Sequence, residues 1–215
     1  GRDMSYLLRV SLPDVPGSLG RLATAIGAGG GNIDAIEIVE RHDGLAVDDV
    51  FLNTGGQVLP DSIVSSCNSV EGVEVLWVSR YPSGSNLIRD LEAVEEMTSS
   101  EEDPIDSLLR LLPAVLVVDW ALRVAQDGDG IKVLDGTPAA PESLPDDFKW
   151  PKDFAHTSRV EVPEPWSDFV IAAAPVVDDE LVVIARRGGP EILDSEVARL
   201  GHLAALAVSI SSNRG

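Results

Sequence analysis

The sequence predicts an α+β protein in two parts, and three observations carry that reading. Through the first eighty residues, apolar patterns of period two and period 3.6 alternate in the order strand, helix, strand, strand, helix, strand. Two amphipathic helices then precede a series of strand-like runs and a last helix, the order of an antiparallel sheet flanked by helices. The 215 residues are 44% hydrophobic, enough for one large or two small cores, yet no run approaches the roughly 18 to 20 apolar residues of a membrane span.

In the first part, Leu8, Val10 and Leu12 alternate with Arg9 and Ser11 as a half-buried strand that stops at Pro13. Pro16-Gly17 opens a helix whose apolar stripe is Leu19, Leu22, Ala23 and Ile26, closed by the run Gly27 to Gly31. Ile33, Ala35, Ile36 and Ile38 form the next strand. Arg41-His42-Asp43-Gly44 reads as a hairpin turn, because Asp-Gly accepts the positive φ such a turn favours, and Ala46 to Leu52 returns. A helix from Pro60 carries Ile63, Val64 and Cys67 on one side, and Gly72 leads into a strand with Val73, Val75 and Trp77 that ends near Tyr81.

Tyr81-Pro82-Ser83-Gly84-Ser85 is a breaker-rich junction, giving domains at 4–81 and 85–211. Beyond it a helix runs through Leu87, Ile88, Leu91 and Val94. Asp103-Pro104 starts another with Ile105, Leu108, Leu109 and Leu112, Asp103 as N-cap and Pro104 in the first position. Ala114 to Ala125 is apolar and β-branched, Gly128 and Gly130 mark a turn, and Ile131, Val133 and Leu134 return. Gly136 to Trp150 is a Pro-rich loop. Strands are expected at Ser158 to Val162, Phe169 to Val177 and Leu181 to Arg187, then a helix capped by Asp194 with Val197, Leu200, Ala204, Ala207 and Val208 inward.

Sixteen Lys and Arg against 36 Asp and Glu give a net charge of −20, and neither half is basic. Nucleic acid is excluded as a direct partner, since binding phosphates requires a basic footprint. The single cysteine, Cys67, cannot form an intramolecular disulfide or a multi-cysteine metal site, and it fits a reducing cytoplasm as a buried small hydrophobe. No signal-peptide pattern is present, and Gly1-Arg2-Asp3 before Met4 reads as a tag remnant. His42, His156 and His202 fall on a turn, a loop and a helix, so no metal is expected. No Gly-x-Ser-x-Gly elbow occurs, and the glycine run follows a helix where a phosphate loop precedes one. The acidic clusters read as solvated faces.

Asp14-Val15-Pro16-Gly17-Ser18-Leu19, followed at helix length by Gly31-Asn32-Ile33-Asp34, resembles the start of an ACT domain. The resemblance covers about Ser5 to Tyr81, includes the element order, and implies a ferredoxin-like βαββαβ module that regulates by binding amino acids and commonly pairs side by side. On it, Asp14, Val15, Pro16, Gly17, Ser18, Leu19, Gly31, Asn32 and Ile33 are the candidate ligand residues, with positions matching Asp14 and Asn32 lining a site between two paired domains. The local chemistry agrees: free N–H groups and the dipole at a helix start favour a carboxylate, Asp14 offers an anion to an ammonium, and Asn32 both donates and accepts. A ligand is expected with its carboxylate beside Gly17 and Ser18 and its amine between Asp14 and Asn32, all from one short stretch of chain. The same residues also fit pure turn chemistry, Asp14 before Pro-Gly, Gly17 at the corner and Asn32 capping the first helix.

Ala174 to Arg187 with the following Gly-Gly-Pro and acidic helix start resembles the end of a GAF domain, over roughly Ser85 to Ile210. That implies a six-stranded sheet with a small-molecule pocket, or a domain kept for dimer contacts. This half has no cysteine, so the bilin-attaching and sulfoxide-reducing GAF chemistries drop out, and no cyclic-nucleotide motif is visible. Trp120, Trp150, Trp166, Phe148, Phe154 and Phe169 surround the long loop, as core or as an aromatic-lined pocket.

Together these expectations describe a non-catalytic cytoplasmic sensor that binds an amino acid, needs no cofactor or metal, forms a homodimer through the first domain, and passes occupancy to a partner protein. The alternatives are a regulatory subunit of an amino-acid biosynthetic enzyme, and a GAF-type sensor whose ACT domain serves only dimerisation.

Overall fold

Strand β1 (Met4–Pro13) sits inside a four-stranded antiparallel sheet, and its central place explains its burial. The computed structural model describes residues 4–80, 88–148, 150 and 155–214 and divides into two units, 1–85 and 86–215; the expected junction, 81–85, lies outside the described residues. In the first unit β1 is followed by α1 (Ser18–Ala28), β2 (Gly31–His42), β3 (Leu45–Thr54), α2 (Pro60–Asn68) and β4 (Glu74–Arg80), in sheet order β2-β3-β1-β4. This is the βαββαβ order read from the sequence.

Flanked on both sides, β1 is buried on both faces from Tyr6 to Val10, not half-buried as its alternation suggests. Leu8, Val10 and Leu12 pack with Val50, Leu52, Leu22, Ile26, Ile63 and Cys67 under the helices. On the other face Arg9 lies in direct register with Asp49 and donates from Nε and Nη2 to its two oxygens at 2.8 and 3.0 Å. The inner side of α1 is Ser18, Leu22 and Ile26, and Leu19, expected inside, is 40% exposed. The stripe is set by i, i+4 and i+8 from Ser18, so Leu19 rotates toward solvent. Asp43 and Gly44 take φ of 52° and 78°, the two-residue turn that the Asp-Gly pair predicts.

The second unit opens with α3 (Asp90–Ser99) and α4 (Pro104–Val115). Its strands are β5 (Trp120–Asp127), β6 (Gly130–Gly136), β7 (Ser158–Val160), β8 (Phe169–Pro175) and β9 (Glu180–Arg187), with a short 3-10 helix at Glu164–Trp166 and a closing helix α5 (Asp194–Arg214). The sheet order is β6-β5-β9-β8-β7, five strands among the described residues where the resemblance implied six. Alternate residues of β5, β8 and β9 face two cores. Ala121, Ala172, Val182 and Ile184 pack against the helices, and Trp120, Leu122, Ile171 and Val183 pack under the loop with Phe148.

Three local expectations are corrected. Ala114 and Val115 belong to α4, which continues past Pro113. Leu91 is 70% exposed, and α3 turns Ala93 and Met97 inward instead. Asp194 is already inside α5 and its carboxylate takes a hydrogen bond from Arg159 Nη2 at 2.6 Å, while the N–H of Leu193 is met by Glu196 Oε1 at 3.0 Å. Glu196 also receives Arg186, whose guanidinium donates to Glu196 Oε2 at 2.8 Å and to the carbonyls of Leu116, Val117 and Pro190 at 2.7 to 3.0 Å.

Candidate functional site

The loop between β1 and α1 turns on Gly17, whose φ of +89° is closed to most side chains. A Cβ there would also stand 3.1 Å from Arg21 Nη1. No side chain caps the first turn of α1, and no acidic residue lies in it. Instead Arg21 folds back and donates from Nη2 to Ser18 Oγ at 3.2 Å, with Ser18 itself buried. A cation at a helix start opposes the helix dipole, so Arg21 and the uncapped N–H groups together prepare this spot for an anion.

Asp14 closes the same corner from the side. Its N–H donates to the Gly44 carbonyl at 2.9 Å, and its carboxylate faces Arg41 at 3.6 Å, both side chains largely open to water. Beside it on β3, Asp48 is 3% exposed, and its Oδ1 has no hydrogen-bond partner among the described residues. Burial pushes its carboxyl above the usual value of 3.8, with Asp49 and Asp14 adding to the rise and Arg41 opposing it.

Gly31, Asn32 and Ile33 are not part of this corner. β1 and β2 both run antiparallel to β3, so Gly31 pairs with Thr54 and His42 with Leu45, while Met4 pairs with Thr54 and Pro13 with Leu45. Asn32 therefore lies at the end of the sheet where β1 begins, about 30 Å along the strand from Arg41 at the usual strand rise. The expectation that one stretch of chain supplies the helix start, Asp14 and Asn32 together fails within a single chain. Asn32 is exposed and does not close α1, whose end is turned by Gly29 and by Gly30 at φ 99°. At its end of the sheet Asn53 Nδ2 donates to Asp34 Oδ1 at 2.8 Å.

Sequence reading missed Arg21, Arg41 and Asp48. Arg21 had a visible signal, a lone cation in the first turn of a helix without acidic residues. Arg41 and Asp48 had none, because their place depends on strand register. Three apolar side chains, Val15, Leu19 and Ile38, are exposed at 53, 40 and 52% near this corner; Ile38 stands opposite Asp48.

Elsewhere the candidates are structural. Cys67 is buried in the first core, where burial pushes its thiol up to about 11, far from a nucleophile's range. In the second unit Trp166 lies 5.5 Å from Trp120, 5.5 Å from Phe169 and 6.2 Å from Phe148, so these aromatics fill the core under the loop by packing on one another. Phe154 lies outside the described residues.

Residues 6–64 match the family model of the ACT domain, and they span β1, α1, β2, β3 and the start of α2. The first unit therefore carries an ACT domain. No curated protein matches the sequence. Among solved structures, the GAF domain of an Acinetobacter phosphoenolpyruvate-protein phosphotransferase is similar at 12% identity over 58% of this chain and 90% of that one, with a TM-score of 0.43. An unknown protein from Galdieria sulphuraria is similar at 9% identity over 99% and 94%, TM-score 0.32. A protein described as a candidate glycine cleavage system transcriptional repressor is similar at 9% identity over 98% and 94%, TM-score 0.32.

Proposed function

We propose that this chain is a non-catalytic regulatory protein of the cytoplasm whose first unit binds a free α-amino acid and reports its occupancy to a partner protein. One observation carries the reading: within the segment that matches the ACT domain, α1 starts at Gly17 without a side-chain cap, and Arg21 folds back over that turn. A carboxylate is the group such a turn accepts.

The separation of Asp14 from Asn32 makes a homodimer part of the proposal. β2 is an edge strand, and two copies joined antiparallel along it bring Asn32 of one copy to the end where Arg41 and Asp14 of the other lie. Each chain would then supply half of two sites, and the exposed Val15, Leu19 and Ile38 would gain a cover. The second unit is proposed as a GAF-like module for a small molecule or for dimer contacts.

The experiment is a thermal-shift screen of the purified chain against the protein amino acids, with light scattering for mass. An amino acid at 100 times its dissociation constant stabilises by about 2.7 kcal/mol, a shift the screen reads easily. A stabilising amino acid and a dimeric mass are the expected results. A monomer across the micromolar range overturns the shared site, and no shift with any amino acid overturns the ligand.

A further inference from the structure

We propose that the carboxylate of Asp48 accepts the ammonium group of the bound α-amino acid, whose own carboxylate lies on the first turn of α1 beside Arg21. The proposal rests on the amino-acid reading above and names the group that selects for the amine, a role the sequence assigned to Asp14.

Asp48 is placed for it by register. Directly paired residues of neighbouring strands project to the same face, and Asp48 stands opposite Val10, a core residue under the helices. Along the sheet it lies past the start of α1. Ile26 presses on Gly31, which pairs with Thr54; from that level α1 runs back about 12 Å to Ser18, whereas β3 runs about 20 Å to Asp48. Asp48 therefore points into the corner beneath the Asp14–Gly17 loop and not under the body of the helix. Arg41 and Asp14, the charged groups of that corner, act on its charge, while Asp49 is turned to the opposite face and tied to Arg9.

The chemistry then singles out a cation with N–H donors. A carboxylate oxygen shut away from water without a donor is costly, and such an atom in a folded protein calls for an explanation. Arg41 does not supply the donor to Oδ1, and its Nε stands 3.6 Å from Asp14. An ammonium brings three donors of the right charge. Asp14, half open to water and facing Arg41, is the weaker acceptor. A site built around a buried acceptor also rejects analogues that lack the matching donor, so the deaminated acid should be refused.

The test uses the full chain. The amino acid that gives the largest thermal shift is titrated by calorimetry beside the carboxylic acid that differs only in lacking its amine. The parent protein is expected to prefer the amino acid by about tenfold or more, and Asp48→Asn should erase that preference. A folded Asp48→Asn protein that keeps the preference overturns the assignment and leaves the amino-acid reading standing. If that variant does not fold, the parent still decides, because equal binding of the two compounds overturns the assignment. Failure of every amino acid to bind overturns both.

Discussion

Two helix starts in this molecule are built in opposite ways. The start of α4 is closed by its own chain: Asp103 accepts from the N–H groups of Ile105 at 2.8 Å and Asp106 at 3.3 Å, and Pro104 has no N–H to satisfy. The start of α1 has no side-chain cap, only the Ser18 N–H donating to the Val15 carbonyl at 3.2 Å; it carries Arg21 where a carboxylate would be stabilising, and overlies a corner holding a carboxylate oxygen without a partner among the described residues. The second unit makes the same point more strongly at α5, where Glu196 and Arg186 satisfy the helix entry and several carbonyls at once. α2 and α3 also start without a side-chain cap, at Leu59 and Arg89, so what sets α1 apart is the positive φ of Gly17 and the Arg21 guanidinium folded back over its first turn.

That contrast can be broken from the self-sufficient side first, where the expected effect is largest. Arg186→Leu leaves Glu196 charged and buried without its guanidinium and deprives the carbonyls of Leu116, Val117 and Pro190 of their donor, so unfolding by denaturant should show a loss of about 3 to 5 kcal/mol. On the open side, Gly17→Val places a β-branched residue at φ +89° against Arg21. The strain should cost about 1 to 3 kcal/mol in the same assay, and binding of any amino acid found in the screen should be lost as the backbone is covered. Asp103→Ala sharpens the comparison from α4 and should cost about 1 kcal/mol, the usual worth of an N-cap. A null result there would mean that the Asp103 bonds do not hold the helix start.

The smallest effect belongs to Asp48→Asn. Because the folded-state carboxyl of Asp48 is raised above 3.8, the folded protein holds that proton more tightly than the unfolded chain. Its contribution therefore turns against folding as pH rises from 3.8 through the folded value, and then stays constant. Relative to the parent, Asp48→Asn should gain thermal stability at neutral pH, with the difference vanishing in acid below 3.8. Melting curves across pH check both the sign and the window.

Elements whose signals are local were legible in the sequence. Asp103-Pro104 announces α4, Asp43-Gly44 announces the β2–β3 turn, and the βαββαβ order follows from periodicity. What depends on distant pairing was not. The alternation of β1 cannot reveal that it is an inner strand, nor that Arg9 meets Asp49 forty residues on. Leu19 and Leu91 look like core residues because periodicity fixes the spacing of a helical face and leaves its rotation undetermined by one position. For the candidate site, the Gly17 loop was readable as chemistry, whereas the distance between Asp14 and Asn32 came from strand direction, and Asp48 emerged only once register put it opposite Val10.

The free edge of β2 is not a smooth one. Its pairing with β3 slips between Ile33 and Ala35 and again between Ile38 and Glu40, so the strand carries two bulges within its 12 residues. Each bulge bends the strand and steepens its local twist, which spoils the straight row of N–H and C=O groups on which an arbitrary strand would template. The irregularities therefore blunt this edge against unspecific strand pairing and fibril-like stacking.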